Sequence, residues 1–176
     1  SNRPSTAMRI LAGLCFTFAA RNKLMTMGPY DLVFVGTNPP SAPIAALAYK
    51  RRTGTPYVYL IHDFYPNLAV ALGTVSKTSY PARLARKHQK RWLSAAGKVA
   101  VLGRCMKTHL ENAYDIPGEQ IEVITNWADP EQIHPMPKAT RFREKHHLSG
   151  FIALYAGNLG PFQGLDVILD AAKIAK

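Results

Sequence analysis

An unbroken apolar run that stops at two polar side chains constrains this fold more than any other stretch. Residues 57–61, Tyr-Val-Tyr-Leu-Ile, are aromatic, β-branched or aliphatic, and His62 and Asp63 follow them directly. Such a run is typical of a strand buried on both faces, as in a parallel sheet. Ligands bind outside the carboxyl ends of strands in open α/β sheets. We therefore predict a buried strand whose carboxyl end contributes to a binding site.

Similar apolar runs alternate with helical patterns along the chain. The patterns predict further strands at residues 31–35, 98–102, 121–124 and 151–156, and helices at residues 8–25, 41–54, 81–96, 105–114, 141–147 and 164–176. Ser41 is predicted to cap the second of these helices. Alternation of this kind predicts an α/β fold with a parallel sheet flanked by helices.

The proline-rich segment 129–138 interrupts the alternation and has no periodicity of its own. We predict that it is an interdomain linker, between a first domain at residues 1–128 and a second part at residues 139–176. The second part has too few elements to bury its own apolar faces. We therefore expect the chain to be a piece of a longer, two-domain protein.

The hydrophobic content, net charge and cysteine count of the chain indicate what class of protein it is and what kind of partner it could bind. The chain has 176 residues, 47% of them hydrophobic and 19% charged, which is typical of soluble globular proteins. The net charge of +11 suits an anionic partner such as a phosphate ester, nucleic acid or a lipid surface, although a basic protein without a special partner is an alternative. Two cysteines favour a reduced, cytosolic setting. The apolar stretch 10–20 is shorter than the roughly 20 residues that span a bilayer, and we interpret it as a core helix.

Three predicted strands end in residues suited to ligand contact: Thr37-Asn38-Pro39-Pro40 with Ser41, His62-Asp63 and the loop 157–160, Gly-Asn-Leu-Gly. Glycines before a helix let the backbone approach a ligand, and free N–H groups at a helix start attract phosphate. The glycine spacing is not the dinucleotide fingerprint, so a plain strand-to-helix turn is equally compatible. His62 is either a structural hydrogen-bonding residue or a site residue oriented by Asp63 and walled by Phe64 and Tyr65. The histidines and cysteines lack metal-ligand spacing, so no metal site is predicted.

The predicted helix at residues 81–96 carries a stripe of basic side chains. Their spacing of i, i+3, i+4, i+7 and i+8 places them on one face: Arg83, Arg86, Lys87, Lys90 and Arg91. The stripe is either a solvated face or a contact with an anionic membrane surface or an acidic partner. Aromatic residues are not interleaved with the cations, which disfavours nucleic acid.

Five segments, in this order, carry a resemblance to a known family: residues 31–44, 59–73, 98–110, 121–135 and 153–172. The most specific features are Thr-Asn-Trp-Ala-Asp at 125–129 and Ile-His-Pro at 133–135, which occupy the places of the family's linker motifs. On these segments the chain resembles glycosyltransferase family 4 (group 1), of GT-B architecture, and most of all the members that build surface polysaccharides.

The resemblance implies an enzyme of two Rossmann-like domains with a cleft between them. This chain would contain only part of each domain. Residues 1–128 would belong to the acceptor domain, and residues 139–176 would begin the nucleotide-sugar domain. Family members are retaining enzymes that need no bound metal or cofactor. By position, His62 corresponds to the histidine near the transferred sugar, which makes it the predicted catalytic residue. The predicted substrate-binding residues are Asn38, Pro39, Asp63, Asn126, Gly157, Asn158, Gly160 and Gln163.

The partners implied by the resemblance are a nucleotide-sugar donor and a glycan or polyprenyl-phosphate-linked acceptor, with no nucleic acid. Contact with an anionic membrane through the basic stripe would place a cytoplasmic protein at the inner face of the membrane. The family's diphosphate-neutralising residue and paired glutamates find no counterpart here, so we expect no hexosyl or related transfer by this chain alone. Two alternatives stay open: a non-catalytic α/β module that binds nucleotide or acidic partners, and pairing of segment 151–156 with the edge of another chain.

Overall fold

Eleven helices and strands and one short 3-10 helix are seen in the computed structural model, which describes residues 5–71, 73, 75–137, 140–160 and 163–175. In chain order they are α1 Thr6–Met27, β1 Val33–Val35, α2 Pro43–Thr53, β2 Tyr57–Ile61, α3 Asn67–Ala71, α4 Tyr80–Ala95, β3 Lys98–Val101, α5 Arg104–Tyr114, the 3-10 helix Gly118–Gln120, β4 Ile121–Val123, α6 Arg141–Lys145 and α7 Leu165–Ile174. They fall into two compact units, Ser1–Asn126 and Trp127–Lys176.

The first unit is built on a four-stranded parallel sheet in the order β1-β2-β3-β4. Val35 pairs with Tyr59, Tyr59 with Val99, and Val99 with Ile121, so the strands follow one another in sequence across the sheet. The predicted α/β fold with a parallel sheet flanked by helices is confirmed. Because the strands are parallel, the loops that follow them all emerge at one edge, the carboxyl edge.

The core of the first unit is centred on β2, whose residues Tyr57, Tyr59 and Ile61 are almost fully buried. The Tyr57 hydroxyl donates a hydrogen bond to the carbonyl of Trp92 in α4. The Tyr59 hydroxyl donates to Oε1 of Gln89, at 3.4 Å. Later residues of β2 therefore meet earlier residues of α4, so the helix runs antiparallel to the strand and begins near the carboxyl edge.

The second unit differs from its predicted structure. The strand predicted at residues 151–156 is wrong, since this segment has no strand conformation. An apolar run becomes a strand only with a neighbouring strand to hydrogen-bond with, and the described part of this unit contains none. Phe151 is 95% exposed, and no described residue beyond Asn126 is buried.

Other elements begin or end a few residues away from their predicted bounds. Helix α1 is longer than predicted, and α6 ends at Lys145 rather than at residue 147. Two predicted ends, Lys138 for the linker and Lys176 for the last helix, lie outside the described residues. Within those residues, no helix combines the length and the apolar character that crossing a bilayer requires.

Candidate functional site

Two loops at the carboxyl edge are tied together by one hydrogen bond. The backbone N–H of His62, which follows β2, donates to Oγ1 of Thr37, which follows β1, at 3.3 Å. Thr37 is 4% exposed, whereas the side chains of Asn38, His62 and Asp63 are exposed. The buried threonine therefore fixes the loops from below, and three of the predicted site residues remain open to a ligand.

The loop after β1 is also held against α1. Oγ1 of Thr17 donates to the carbonyl of Gly13 at 2.8 Å and lies 2.7 Å from Oγ of Ser41. The prediction that Ser41 caps α2 is wrong, because its hydroxyl is used in this contact and α2 has no side-chain cap. A Cβ added at Gly13 would lie 3.0 Å from Cβ of Pro39, so glycine permits this close approach.

A cavity of about 600 Å³ opens between α1 and α4 next to these loops. We call it the α1–α4 groove and define it by Ile10, Leu14, Leu84, Gln89 and Trp92, which line it together with Pro40, Ser41, Ile44, Tyr59, Asp63, Tyr65, Pro81, Ala85 and His88. Its volume lies in the range of about 300–1,000 Å³ that is typical of small-molecule sites. Its walls are mainly apolar. Asp63 lines this groove and is also one of the predicted site residues at the carboxyl edge.

Polar groups are placed at two points of the groove. Gln89 is 3% exposed, and its Nε2 has no hydrogen-bond partner in the described part of the chain. Burial raises the pKa of the Tyr65 hydroxyl, the charge of Asp63 raises it further, and the charge of Arg9 lowers it.

A second, smaller cavity of about 400 Å³ lies between α3, α4 and α5, and its lining includes Lys77, Arg86 and Tyr114. Nδ2 of Asn67 and Nε2 of His109 are 2.8 Å apart at its side. Tyr114 is 3% exposed, and its hydroxyl has no partner among the described residues. This cavity therefore combines two cations with one buried, unpaired hydroxyl.

The surroundings of His62 differ from two expectations. No hydrogen bond joins the Asp63 carboxylate to the His62 ring within the described residues, so an orienting role of Asp63 has no support. Phe64 packs edge-on against His109, with 4.9 Å between ring centroids, and Tyr65 lines the α1–α4 groove. Asn126 follows β4 at the same carboxyl edge, two strands away from β2.

The glycine-bounded loop of the second unit forms its own contacts. The Tyr155 hydroxyl donates to the carbonyl of Asn158 at 3.1 Å, and the Gly160 N–H donates to Oε1 of Gln163 at 3.1 Å. A Cβ at Gly157 would lie 2.8 Å from the Tyr155 hydroxyl. Gln163 thus occupies the N–H that a phosphate would use, and binding of phosphate there requires this side chain to move. Positions 161 and 162 of the loop lie outside the described residues.

The basic stripe on α4 divides into two groups. Nζ of Lys90 pairs with Asp115 at 2.6 Å, and Nη2 of Arg86 donates to the carbonyl of Lys77 at 2.9 Å. The other three cations form no hydrogen bond or ion pair in the described ranges: Arg83, Lys87 and Arg91. The side chains of this second group are therefore unpaired among the residues that the structure describes.

Sequence reasoning placed Thr37 in a turn suited to ligand contact but did not predict its hydrogen bond to His62, and it missed Gln89 as a determinant of the site. Gln89 lies four residues after Ala85 and four before Leu93, so it occupies a helix position that faces the core. A polar residue at such a position could have indicated that Gln89 contributes to the site. The hydrogen bond of Thr37 had no such signal, because its partner comes from another loop. No group of three histidine, cysteine or acidic side chains able to hold a metal is found among the residues that the structure describes.

Comparisons with known proteins bear on this arrangement. The model of Glycosyltransferase Family 4 matches residues 1–132. A probable glycosyltransferase, WbjE of Pseudomonas aeruginosa, is 28% identical over 179 aligned residues, which cover 100% of this chain and 44% of that protein. A D-inositol 3-phosphate glycosyltransferase of Frankia alni is 26% identical over 128 residues, 72% of this chain and 31% of that protein. The chain thus spans less than half the length of these curated relatives.

Proposed function

The chain belongs to glycosyltransferase family 4, and we propose that it is the acceptor-side part of a retaining enzyme whose donor is a nucleotide-diphosphate sugar. The observation that carries the proposal is the hydrogen bond between Thr37 and the His62 backbone, which presents an exposed imidazole at the carboxyl edge of the sheet. His62 would position the transferred sugar rather than remove a proton. In this proposal the loop 157–160 would contribute N–H groups to the departing diphosphate.

The acceptor in this proposal is a polyprenyl-phosphate-linked glycan of a surface polysaccharide, held at the cytoplasmic face of the membrane. The unpaired cations Arg83, Lys87 and Arg91 support it, because basic side chains near an anionic leaflet each contribute about 1 kcal/mol of binding. We also propose that residues 1–128 and 139–176 belong to different domains of the enzyme, joined by the segment 129–138.

The 176-residue chain by itself should not transfer sugar. Its second unit buries no described side chain, so no packed core among the described residues supports the proposed diphosphate loop, and transfer depends on rigidly placed groups. Purified chain incubated with nucleotide sugars and a lipid-linked acceptor should form no product above a blank without protein. Product formation by the chain alone would contradict this part of the proposal.

The role of His62 is tested in the full-length enzyme that we propose. His62→Ala should lower kcat by about 100-fold, the size of effect seen when a reacting group is displaced by about 1 Å. The readout is the transfer of labelled sugar to the lipid-linked acceptor, with the anomeric configuration of the product read by NMR. His146→Ala is the control, because His146 packs on Phe142 in the second unit. Unchanged transfer by His62→Ala, or an inverted product, would refute the mechanism.

A non-catalytic role as a module that binds acidic partners is the second candidate. The cavity with Lys77, Arg86 and the unpaired Tyr114 hydroxyl favours it, because all three can donate hydrogen bonds to an anion. Inorganic phosphate titrated into the chain and followed by NMR separates the two candidates. Shifts confined to this cavity, together with no sugar transfer by the full-length protein, would favour the binding module.

A further inference from the structure

We propose that Thr17 of α1 is a positioning residue, which anchors the loop 37–41 after β1 and thereby holds Asn38 in place for the acceptor. The role of Asn38 rests on the proposed function, in which this part of the chain binds the acceptor. The anchoring of the loop is a property of the first unit alone. It can therefore be measured without any transfer reaction.

Three polar groups join α1 to the loop. Oγ1 of Thr17 lies 2.8 Å from the carbonyl oxygen of Gly13 and 2.7 Å from Oγ of Ser41. Oγ of Ser41 lies 3.3 Å from the same carbonyl oxygen. Thr17 is 1% exposed, so water does not compete for these hydrogen bonds. Because a buried hydroxyl without a partner is costly, the loop has one favoured position on α1.

This contact goes beyond what a threonine inside a helix needs for itself. Such a hydroxyl commonly bonds to the carbonyl four residues earlier. Thr26 of α1 does only this: its exposed Oγ1 donates to the carbonyl of Asn22 at 3.0 Å, and in the described part of the chain its side chain makes no hydrogen bond outside α1. The hydroxyl of Thr17 also reaches Ser41, which is 24 positions away in another element. Thr26 is therefore a matched control for Thr17.

The shape of α1 supports the same position of the loop. A Cβ added at Gly13 would lie 3.0 Å from Cβ of Pro39, so Pro39 rests against the bare backbone of the helix. The carbonyl of Pro39 accepts a hydrogen bond from the N–H of Ala42 at 2.9 Å, which closes the turn before α2. The loop thus meets α1 at Pro39 and at Ser41, and Asn38 comes directly before the first of these points.

The other end of the loop is held by the segment after β2. Oγ1 of the buried Thr37 accepts the hydrogen bond from the His62 N–H at 3.3 Å. Asn38 lies between this anchor and the contact of Pro39 with α1, and its own side chain is exposed. A side chain on backbone that is already fixed loses less freedom when it binds a ligand, which favours affinity. Thr17 is buried and acts on the acceptor only through the loop.

NMR relaxation of the 176-residue chain tests the anchoring. Thr17→Val keeps the size of the side chain and removes the hydroxyl, whereas Thr17→Ser keeps the hydroxyl. In Thr17→Val the order parameter of the Asn38 backbone N–H should fall from about 0.85, typical of rigid backbone, to below about 0.6. Thr17→Ser and Thr26→Val should leave it unchanged. The measurement reports the folded molecules, so a general loss of stability does not alter it. An unchanged order parameter in Thr17→Val would overturn the proposal, as would an equal fall in Thr26→Val.

The kinetics of the full-length enzyme test the effect on the acceptor. Thr17→Val should raise the KM for the acceptor about fivefold, the factor expected for one lost hydrogen bond, and should leave kcat and the KM for the nucleotide sugar unchanged. Gly13→Ala adds the Cβ that presses on Pro39, so it should also raise the KM for the acceptor. Thr26→Val should change neither KM. A rise confined to the KM for the nucleotide sugar would contradict the assignment of the loop to the acceptor.

The outcome is separable from that of the proposed function. If Asn38 stays rigid in Thr17→Val while the full-length enzyme transfers sugar, Thr17 is not a positioning residue and the enzymatic function stands. If Asn38 becomes mobile in Thr17→Val while the full-length protein transfers no sugar, the anchoring by Thr17 stands and the enzymatic function is wrong.

Discussion

Tyr59 places a phenol in the core of the first unit, with its hydroxyl on the amide oxygen of Gln89. Burial raises the pKa of this hydroxyl to about 12, from an ordinary value of 10.0. The unfolded chain therefore loses this proton at a lower pH than the folded chain. The stabilisation is fully present below pH 10.0 and is lost as the pH rises toward about 12.

Tyr59→Phe tests this pH dependence. In the unchanged chain, Tyr59 should lower the free energy of unfolding by roughly 1.4 kcal/mol for each pH unit above 10.0. Tyr59→Phe should make the decline shallower and cost about 1 kcal/mol at neutral pH through the lost hydrogen bond. Urea unfolding at several pH values measures both effects. Tyr80→Phe, at a 75% exposed position, is the control, and the same slope in both variants would contradict the argument.

The sequence was sufficient to predict which side chains lie at the carboxyl edge, because the end of a strand can be recognised from a few neighbouring residues. Asn38 and His62 were placed there from the residues just before them. The support beneath them was not predictable: Thr37 and His62 are 25 positions apart, and Tyr59 and Gln89 are 30 apart. The first pair depends on how β1 pairs with β2, and the second depends on how α4 packs on β2. No short pattern encodes either arrangement.

Helix α4 has one side for the core, one for the α1–α4 groove and one for solvent. The solvent side presents the three cations that lack a partner in the described ranges: Arg83, Lys87 and Arg91. Replacing all three by Gln should weaken binding to phosphatidylglycerol vesicles about 100-fold, from about 1 kcal/mol for each charge. Vesicle flotation measures this, and the binding should fall as salt is added.

An equal change of charge elsewhere is the control for this experiment. Replacing three exposed cations of α1 and α2 by Gln should leave more of the vesicle binding intact: Lys23, Arg51 and Arg52. Equal losses from the two triple variants would mean that net charge, rather than α4, directs the protein to the membrane. Equal binding to neutral phosphatidylcholine vesicles would contradict an electrostatic contact altogether.

The sequence predicted the helices and strands of the first unit within a few residues, yet it failed at residues 151–156. The two cases look alike in the sequence, since 57–61 and 151–156 are both apolar runs. Strand β2 has β1 and β3 beside it, whereas the described part of the second unit offers 151–156 no neighbour. A strand is a property of a sheet, so an apolar run alone is not sufficient to form one.

At the scale of the whole molecule, the two units differ in what they bury. The first unit encloses a continuous core that includes Tyr57, Leu93, Val99 and Leu110, each essentially inaccessible to solvent. Beyond Asn126 every described residue is partly or fully exposed. The burial of apolar side chains supplies most of the free energy that opposes local unfolding. The second unit should therefore open far more often than the first.

Limited proteolysis tests this difference in stability. Trypsin should cut first after basic residues such as Arg141 and Lys145 and should leave a fragment that contains β1 through β4, because cleavage follows the population of the opened state. Thermolysin, which cuts at apolar residues, should release the same fragment by attack near Phe151 or Leu154, so the result would not depend on where basic residues lie. Mass spectrometry identifies the cut sites. Survival of the second unit for as long as the sheet would mean that contacts outside its own described residues protect it.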